Sequence, residues 1–401
     1  MKEVFIVAAK RTPMGGFLGS LSHFSATQLG AMVIEDVVTS AAIVPSHINA
    51  VYLGNVLSAN LGQSPARQAA KFAGILDETD CTTINKVCAS GMKATMLGAQ
   101  QIQLGLEQLV ITGGMESMSN VPHYALLRKP TKLGNETFTD GLLKDGLTDA
   151  YHHFHMGNAA ELCVNKYNLS RAQQDEFALA SYAKATAATQ QGKFTNEITR
   201  IKTTTKNGDV WLHEDEDIYK VIPEKVAQLK PIFDPNGTIT AANASNLNDG
   251  AAALLLASAE AVKQHGLKPL AKIIGYADAA QAPEWFTTAP ALAIPKALAQ
   301  ANLTIGDIDY IEINEAYAAV VLANQMILGL DNRKINAYGG AVAMGHPLGA
   351  SGARIICTLL SVLKQEGGRY GVAAICNGGG GASAIVIENI NSSILSYDNN
   401  K

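Results

Sequence analysis

Residues 82–98, TTINKVCASGMKATMLG, decide how the rest of this chain can be interpreted. The run over 82–87 predicts a strand, and the small residues 89–91 open a helix that continues through 92–98. Cys88 falls at the turn between them, where unpaired N–H groups and the positive end of a helix dipole converge. This position favours the thiolate and predicts a pKa for Cys88 below its usual value of about 8.5. By itself, however, a cysteine in an apolar chain is more often a small buried side chain.

The composition excludes several classes of protein. The chain has 401 residues, of which 47% are hydrophobic and 16% charged, well below the usual charged share of about 25%. A net charge of −4 without a long basic run argues against nucleic acid as a partner. No stretch approaches about 18 consecutive apolar residues, so we expect no membrane span. The 5 cysteines form no CxxC pair, which is typical of a reduced compartment.

The N-terminal residues MKEVFIVAAKRTP lead almost at once into a strand. They show neither the apolar core of a signal peptide nor the Arg- and Ser-rich pattern of a transit peptide. We therefore expect a cytoplasmic location.

The order of elements indicates a duplicated α/β fold. Strands are predicted over 4–9, 51–57 and 108–114, with helices over 25–40 and 65–73. The last third repeats this outline: strands over 270–276, 308–313 and 372–381, and a strand-like entry from 334 to a glycine-rich turn and a helix ending near 364. Long parallel crossovers require helices on both faces of a sheet, which predicts a layered αβα arrangement.

Between the two copies, the chain becomes polar and rich in Gly and Pro, interrupted by one clear helix over 171–190. Apolar strand character returns at 251–258. The predicted units are therefore an N-terminal half (1–117 with 249–269), a loop insertion (118–248), a C-terminal half (270–393) and a tail (394–401).

Three further segments carry candidate chemistry. Asn314, in NEAYAA, follows a strand and either caps a turn or polarises an oxygen. His346, in GGAVAMGHPLGASGAR, is followed by a proline and lies among glycines that allow close approach of a ligand, although a plain surface histidine is the simpler reading. Cys376, in AICNGGGGASA, precedes four glycines that form either a tight turn or an anion-binding nest of N–H groups.

Two kinds of site are not supported. The segments GGMES and NGGGG match neither GxGxxG nor GxxxxGK[ST], so we predict no dinucleotide or P-loop site. His152, His153 and His155 have no suitably spaced cysteine or carboxylate partners, so we predict no site for a transition metal there.

Four segments in this order, NKVCASGMKA, NEAYAA, GGAVAMGHPLGASGAR and CNGGGGASA, resemble the signatures of the thiolases over nearly the full chain. HMG (155–157) and TAANASNLNDGAAA (240–253) extend the resemblance to the short-chain acetyl-CoA acetyltransferases. CNGGGGASA is similar to the form found in eukaryotic enzymes of this type, whereas Tyr317 departs from the commoner Phe. The resemblance implies the thiolase fold, with duplicated αβαβα halves and a large inserted loop domain, and a homotetramer built as a dimer of dimers.

The resemblance also implies a reaction, the reversible Claisen condensation of two acetyl-CoA molecules to acetoacetyl-CoA and CoA through an acetyl-Cys88 intermediate. In it, Cys88 is the nucleophile, His346 takes its proton and Cys376 is the acid and base of the condensation. Asn314 with His346 forms one oxyanion hole, and the N–H groups of Cys88 and Gly378 form the other.

For CoA itself, the resemblance points to His155, Met156, Ser245, Ala316 and Tyr317 along the pantetheine arm, and to Lys225 at the nucleotide. It implies no obligatory cofactor. A potassium ion is possible, since the chain matches the potassium-responsive thiolases at Tyr182, Ala241, Ala242, Ala244 and Val342. The alternative is that the tyrosine is a core residue and the small residues merely pack.

Two other classes of function stay open. A β-ketoacyl synthase-like condensing enzyme shares the duplicated fold but normally lacks a second catalytic cysteine, so Cys376 argues against it. A non-catalytic relative that binds CoA or lipid would have no reason to retain Cys88, His346 and Cys376 together, and a thiolysis assay separates it from an enzyme.

Overall fold

A computed structural model describes residues 1–128, 131–205 and 208–390 of the chain. The predicted tail 394–401, and residues 391–393 before it, lie outside the described residues. The strands are β1 (Val4–Arg11), β2 (Gly15–Gly16), β3 (Ala50–Gly54), β4 (Asp80–Ile84), β5 (Leu109–Ser117), β6 (His123–Tyr124), β7 (Thr139–Asp140), β8 (Ile201–Thr205), β9 (Gly208–Leu212), β10 (Asn248–Ser258), β11 (Ala271–Ala280), β12 (Tyr310–Ile313), β13 (Tyr370–Asn377) and β14 (Gly381–Asn389).

The helices connect these strands and cover both faces of the sheet. They are α1 (Ala26–Ser40), α2 (Pro65–Phe72), α3 (Ser90–Gln103), α4 (Met156–Tyr167), α5 (Arg171–Gln190), α6 (Pro223–Val226), α7 (Ala259–His265), α8 (Pro290–Gln300), α9 (Ala318–Leu328), α10 (Ala341–Met344) and α11 (Leu348–Glu366). Short 3₁₀ or π turns occur at Pro45–His47, Met118–Asn120, Leu142–Leu147, Asp217–Tyr219, Pro283–Thr288, Ile305–Asp307 and Asn332–Lys334.

The strands of both halves form one sheet in the order β12-β13-β14-β11-β1-β10-β5-β3-β4. The halves meet where β1 pairs antiparallel with β11. In β10 every residue is buried, and alternate side chains enter two different cores: Ala253 and Leu255 face α1 and α2, whereas Leu254 and Leu256 face α3 and α11. The sequence of a strand that is covered on both faces is typically a continuous apolar run, and the sequence of β10 has this form.

Helices α3 and α11 pack against each other in the middle layer, between the parts of the sheet that the two halves contribute. The outer layers are α1 and α2 on the N-terminal side and α8 and α9 on the C-terminal side. This arrangement confirms the expected αβαβα layering, because each strand-rich half needs apolar cover on both faces.

Local signals in the sequence account for several element boundaries. Ser25 caps α1 in a reciprocal capping box with Gln28, and α5 begins after the same arrangement at Ser170 and Gln173. The strand-like entry expected from 334 is reduced to a single bridge between Ile311 and Ile335, so the described part of the C-terminal copy, up to residue 390, has no equivalent of β4.

The chain between β5 and β10 contains more structure than its polar composition predicts. Besides the expected α5, it holds the helix α4, which begins after His155 rather than after one of the usual capping residues. Strand β5 ends at Ser117 and β10 begins at Asn248, whereas the division of the chain into units at 117/118 and 248/249 stays a prediction.

A buried charge cluster ties this segment to β1. The guanidinium of Arg11, which has no exposed surface, donates to Glu197 at 2.5 Å and to Asp215 at 2.7 and 3.0 Å. Both acids lie in the segment between β5 and β10. Because a buried charge without its partner is strongly destabilising, these bonds hold the segment to the core.

Within the described ranges, which omit 129–130, 206–207 and 391–401, every helix is too short or too polar to cross a lipid bilayer.

We expect Gly114→Ala to lower the free energy of unfolding by about 1–3 kcal/mol, as overpacking of a tight core does. A Cβ atom at this position would lie 2.0 Å from the carbonyl oxygen of Gly349 in α11. The measurement is urea unfolding followed by circular dichroism. Gly306→Ala is the matched control, because its Cβ would meet only Thr304 Oγ1, at 3.6 Å. Equal unfolding midpoints for the two variants would show that the contact of α11 with β5 can relax.

Candidate active site

Cys88 lies in the short connection between β4 and α3, and Ala89 is the N-cap of that helix. The preceding Val87 has a φ of 48°, in the left-handed region that a β-branched residue rarely adopts. The N–H groups of Cys88 itself and of Gly378 donate to the Cys88 sulfur. Burial nevertheless dominates over these two donors and raises the pKa of Cys88 to about 11. The predicted lowering of this pKa is therefore wrong: the resting thiol is protonated and needs a base.

The imidazole of His346 is in the protonation state that such a base requires. Ser351 Oγ donates to the carbonyl oxygen of Pro347 at 2.8 Å, so it accepts the hydrogen bond from His346 Nδ1, at 2.6 Å. This network assigns the ring proton to Nδ1 and leaves Nε2 as the acceptor. Burial, and secondarily the charge of Arg354, lower the pKa of His346 to about 3. The imidazole is thus neutral at physiological pH.

The backbone and ring of His346 are held from two sides. Its backbone N–H donates to Asn248 Oδ1 at 3.0 Å. The preceding Gly345 has a φ of 107° and packs directly on the Asn248 amide, because a Cβ at position 345 would lie 2.2 Å from that amide. On the other side, Asn314 Nδ2 donates to His346 Nε2 at 3.4 Å. The Asn314 carbonyl oxygen is buried and makes no hydrogen bond within the described chain. The side-chain amide of Asn314 and the Nε2 atom of His346 therefore lie next to each other in the site.

Cys376 is fully buried at the end of β13, close enough to Cys88 for each thiol to disfavour ionisation of the other. Burial, and then Cys88, raise the pKa of Cys376 well above its usual range. The turn to β14 passes through Gly379 and Gly380, with φ values of 84° and 83° that favour glycine. This turn directs the Gly378 N–H at the Cys88 sulfur.

Glu116 is a buried carboxylate that ties two elements of the site together. It accepts hydrogen bonds from the N–H groups of Val56 (3.1 Å) and Leu57 (3.1 Å), from the Asn55 amide (2.8 Å) and from Gly349 N–H (2.8 Å). Burial raises the pKa of Glu116 to about 7. The carboxylate thereby links the loop after β3 to the first turn of α11.

A cavity of about 40 Å³ opens beside Cys88. Its lining includes five of the residues expected to contact CoA or to form the oxyanion hole: Met156, Ser245, Ala316, Tyr317 and Gly378. Phe286 and Leu348 also line it. A larger cavity of about 740 Å³ adjoins this one, because the two cavities share four lining residues: Val87, Gly146, Met156 and Gly378.

His155 does not line the cavity but positions residues that do. Its Nδ1 accepts the Gly157 N–H at 3.0 Å and caps α4, and its ring stacks on Phe233 with the centroids 4.5 Å apart. Phe233 and Phe286 in turn meet the Tyr317 ring edge-on, at 6.0 and 6.5 Å. Burial lowers the pKa of His155, so this aromatic group is uncharged.

The loop 241–247 runs along the NEAYAA segment. Ser245 N–H donates to Ala316 O at 3.0 Å, and Ala318 N–H donates to Asn243 O at 2.9 Å, which pairs Ala244 with Tyr317. Residues of this loop line the cavity beside Cys88 on one side and a second cavity of about 510 Å³ on the other.

Lys225 lies away from the thiols, in the lining of this second cavity. Its neighbours there include one basic and one acidic side chain, Lys220 and Asp217, and a set of apolar ones: Val221, Ile222, Val226 and Leu229. The structure thus separates the expected nucleotide contact from the reacting centre, with the loop 241–247 between them.

The structure brings only some of the residues expected around potassium to one cavity. Tyr182, Ala241 and Ala242 line the cavity of Lys225, and the Tyr182 hydroxyl bonds to Asn246. Val342 is fully buried, with its N–H donating to Glu315 at 3.1 Å. The carbonyl oxygens of Ala241, Ala242 and Ala244 accept no hydrogen bond from the described residues. A phenol and free carbonyls are donors that suit a hard monovalent cation.

Three residues that hold the site were not singled out by sequence: Glu116, Asn248 and Ser351. Each lies inside a quoted segment, GGMES, TAANASNLNDGAAA or GGAVAMGHPLGASGAR. Glu116 and Asn248 carried no signal because they act through partners far away in the chain, whereas Ser351 acts on His346, five residues before it. Of the described residues, no group of three or more His, Cys, Asp and Glu side chains is arranged to hold a metal ion.

The chain matches known proteins over nearly its whole length. Residues 4–260 match the thiolase N-terminal domain and residues 267–389 the thiolase C-terminal domain. The chain is 54% identical over 391 residues to acetyl-CoA acetyltransferase 2 of Arabidopsis thaliana, covering 96% of this chain and 97% of the relative. It is 52% identical to cytosolic acetyl-CoA acetyltransferase ERG10 of Gibberella zeae, covering 97% and 99% of the two chains.

Among solved structures, the chain resembles the Acat5 thiolase of Ascaris suum, crystallised in complex with coenzyme A. The TM-score is 0.92 at 46% identity, and the match covers 97% of this chain and 100% of the other. The duplicated layers, the paired thiols and these matches over nearly the whole length lead to one conclusion: the chain belongs to the thiolase family and has the thiolase fold.

Proposed function

We propose that this chain is an acetyl-CoA C-acetyltransferase, which condenses two acetyl-CoA molecules to acetoacetyl-CoA and CoA and catalyses the reverse thiolysis. The observation that carries the proposal is the close approach of two thiols, Cys88 and Cys376, together with a buried neutral imidazole, that of His346, whose Nε2 carries no proton. The relatives named acetyl-CoA acetyltransferase support this choice of substrate.

In the first half-reaction, His346 Nε2 takes the proton of Cys88 as its sulfur attacks the acetyl carbonyl carbon. The N–H groups of Cys88 and Gly378, which converge on the sulfur, are placed to receive the carbonyl oxygen as it becomes negative. One such donor is typically worth about 3 kcal/mol. The C–S bond to CoA breaks, and Cys376 gives its proton to the departing CoA thiolate. The products are acetyl-Cys88 and free CoA.

In the second half-reaction, the Cys376 thiolate removes a proton from the methyl group of a second acetyl-CoA. Asn314 and His346, which lie next to each other, stabilise the enolate oxygen. The enolate carbon attacks the acetyl group of Cys88, and the Cys88 thiolate leaves and recovers its proton from His346. A buried thiol with a raised pKa suits this cycle, since it starts as an acid and becomes a strong base.

We place CoA along the loop 241–247, with its pantetheine arm beside Met156, Ser245, Ala316 and Tyr317 and its nucleotide near Lys225. Residues of this loop line both the cavity beside Cys88 and the cavity of Lys225, which supports a ligand that runs along the loop. His155 acts through Phe233 and Tyr317 rather than by direct contact.

We further propose a cytoplasmic homotetramer, a dimer of dimers. Strand β4 is at one edge of the sheet and leaves hydrogen-bonding groups unpaired, which favours pairing with a second copy. Apolar side chains in and around the β6–β7 hairpin are exposed and would be covered in an assembly: Leu126, Leu127, Leu133 and Phe138. The name of the Gibberella relative supports the compartment.

A potassium ion is also part of the proposal, bound through Tyr182 and the carbonyl groups of Ala241, Ala242 and Ala244, with Val342 packed behind. When bound, it would stiffen the loop that carries Ser245 and the segment that leads to His346.

Acetylation and condensation should separate in variants of the two thiols. Brief incubation with acetyl-CoA should add one acetyl mass to the tryptic peptide that contains Cys88. Cys376→Ser should still acquire this label yet lose condensation by several orders of magnitude, whereas Cys357→Ala, remote from the site, should retain both. Label on another cysteine, or condensation by Cys376→Ser within about tenfold (~1.4 kcal/mol) of wild type, would contradict the assigned roles.

Ser351→Ala should slow acetylation and condensation together, by about 10-fold or more, because Nδ1–H loses its acceptor and the ring its fixed orientation. The measurement is the rate of each half-reaction by rapid quench. Ser361→Ala, on the same helix but bonded to Glu197 at 2.5 Å, is the matched control. Equal rates in the two variants would mean that Ser351 does not orient the imidazole.

Potassium should raise turnover or lower the KM for CoA more than sodium does at the same ionic strength, because the smaller ion fits carbonyl oxygens set for K⁺ less well. Tyr182→Phe should abolish the difference between the two ions. Identical kinetics of the wild-type enzyme in K⁺ and Na⁺ would remove the ion from the proposal.

A further inference from the structure

A cluster of charged side chains joins the turn that carries Cys88 to strands of the C-terminal half. Lys86, two residues before Cys88, donates from Nζ to Asp278 of β11 and, at 2.9 Å, to Ser383 Oγ of β14. Ser383 Oγ in turn donates to Asp278 Oδ1 at 2.6 Å. Lys93 of α3 binds the other carboxylate oxygen of Asp278 at 2.7 Å. One carboxylate of the C-terminal half therefore holds two lysines of the N-terminal half.

Strand β14, which Lys86 reaches, pairs with the strand that carries Cys376. The carbonyl oxygen of Ala382 also accepts from Lys86 Nζ, at 3.4 Å, and Ala382 lies opposite Cys376 in the register of β13 and β14. The glycine turn that directs the Gly378 N–H at the Cys88 sulfur leads directly into β14. The side chain of Lys86 thus connects the Cys88 turn to the base of the Gly378 turn.

The Cys88 turn contains a strained residue that its surroundings must hold. Val87 has a φ of 48°, and a β-branched residue stays in this region only when neighbouring contacts fix it. The backbone N–H of Lys86 donates to Ser90 Oγ at 2.8 Å, and Ser90 Oγ donates to the carbonyl oxygen of Val87 at 2.6 Å. The Val87 side chain packs on Gly378, where a Cβ would lie 3.5 Å from Val87 Cγ1. The backbone of Lys86 therefore closes the turn, and its side chain fixes the turn to the other half.

We propose that Lys86 is a positioning residue for the acetylation of Cys88. By binding strands β11 and β14, it holds the turn so that the N–H groups of Cys88 and Gly378 face the same carbonyl oxygen. These two donors belong to different halves of the chain, so their alignment depends on contacts between the halves. Lys86 acts through the backbone of the turn rather than on the reacting atoms. This role rests on the proposed acyl transfer from acetyl-CoA.

The test compares two reactions of Cys88, acetylation by acetyl-CoA and alkylation by iodoacetamide, each followed by mass spectrometry of the peptide that contains Cys88. Attack on the thioester needs both N–H groups, because negative charge develops on the carbonyl oxygen, whereas displacement of iodide forms no oxyanion. In Lys86→Met, single-turnover acetylation at saturating acetyl-CoA should fall about 10- to 100-fold, less than the loss of a whole donor causes. Alkylation, and the acetyl-CoA concentration that gives half the maximal rate, should stay within about threefold of wild type, because the contacts with CoA are unchanged.

Lys93→Met is the matched control. It removes one of the two lysines from Asp278 and leaves the bonds of Lys86 to Asp278 and Ser383 in place. Its acetylation rate should stay within about threefold of wild type, because a partly exposed ion pair contributes little by itself. Equal losses of acetylation in the two lysine variants would overturn the proposal. A parallel fall of acetylation and alkylation in Lys86→Met would also overturn it, since a merely structural residue has that effect.

In Lys86→Met, Asp278 keeps its bonds to Lys93 and Ser383, so the carboxylate is not left without a partner. If this variant still does not fold, Ser383→Ala is a second test, because it keeps every charge and removes only the hydroxyl that binds both Lys86 and Asp278. It should lower the rate of acetylation about 3- to 10-fold and leave alkylation unchanged. Equal acetylation rates in Ser383→Ala and wild type would contradict the role of Lys86.

The same assay separates this inference from the proposed function. If wild type acquires no acetyl group on Cys88, the proposed function fails, and the inference about Lys86 fails with it. If wild type and Lys86→Met are acetylated at equal rates, only the inference about Lys86 is refuted.

Discussion

The close contact of α3 with α11 is the constraint on which the rest of the structure depends. These two helices begin just after Cys88 and His346, and they can lie this close together only because glycines stand at their contact. A Cβ on Gly91 would lie 2.8 Å from Gly349 O, and one on Gly352 would lie 2.5 Å from Met92 N. Since the reacting groups sit at the starts of these helices, the distance between the helices sets the geometry of the site.

Burial controls the electrostatics that follow from this packing. Cys88, with a pKa raised to about 11, and His346, with a pKa lowered to about 3, form a neutral pair rather than a thiolate–imidazolium pair. A neutral pair costs less to bury, and its charges develop only as the proton moves during attack on the thioester. The N–H groups of Cys88 and Gly378 then stabilise the negative charge that develops during the attack, so they stabilise the transition state more than the resting enzyme.

The segment between β5 and β10 completes the site from the other side. It supplies Met156 and Ser245 to the cavity beside Cys88 and Lys225 to the neighbouring one. Its residues Glu197 and Asp215 bind Arg11 of β1 and so fix the segment to the central strands. The N-terminal half, this segment and the C-terminal half thereby contribute to one cavity. Asn248, at the start of β10, connects this segment to the backbone of His346 at 3.0 Å.

The sequence by itself determined the layered duplicated fold, the bounds of helices such as α5, and the identity of Cys88, His346, Cys376 and Asn314 as candidates. These features follow from local periodicity, capping and short motifs, which neighbouring residues carry. Tertiary structure alone decided the protonation of Cys88, because the helix terminus favours a thiolate while burial by distant elements opposes it more strongly. It also decided the parts of Glu116 and Asn248, whose effects depend on which N–H groups the fold brings within a few ångströms, and no local pattern records those neighbours.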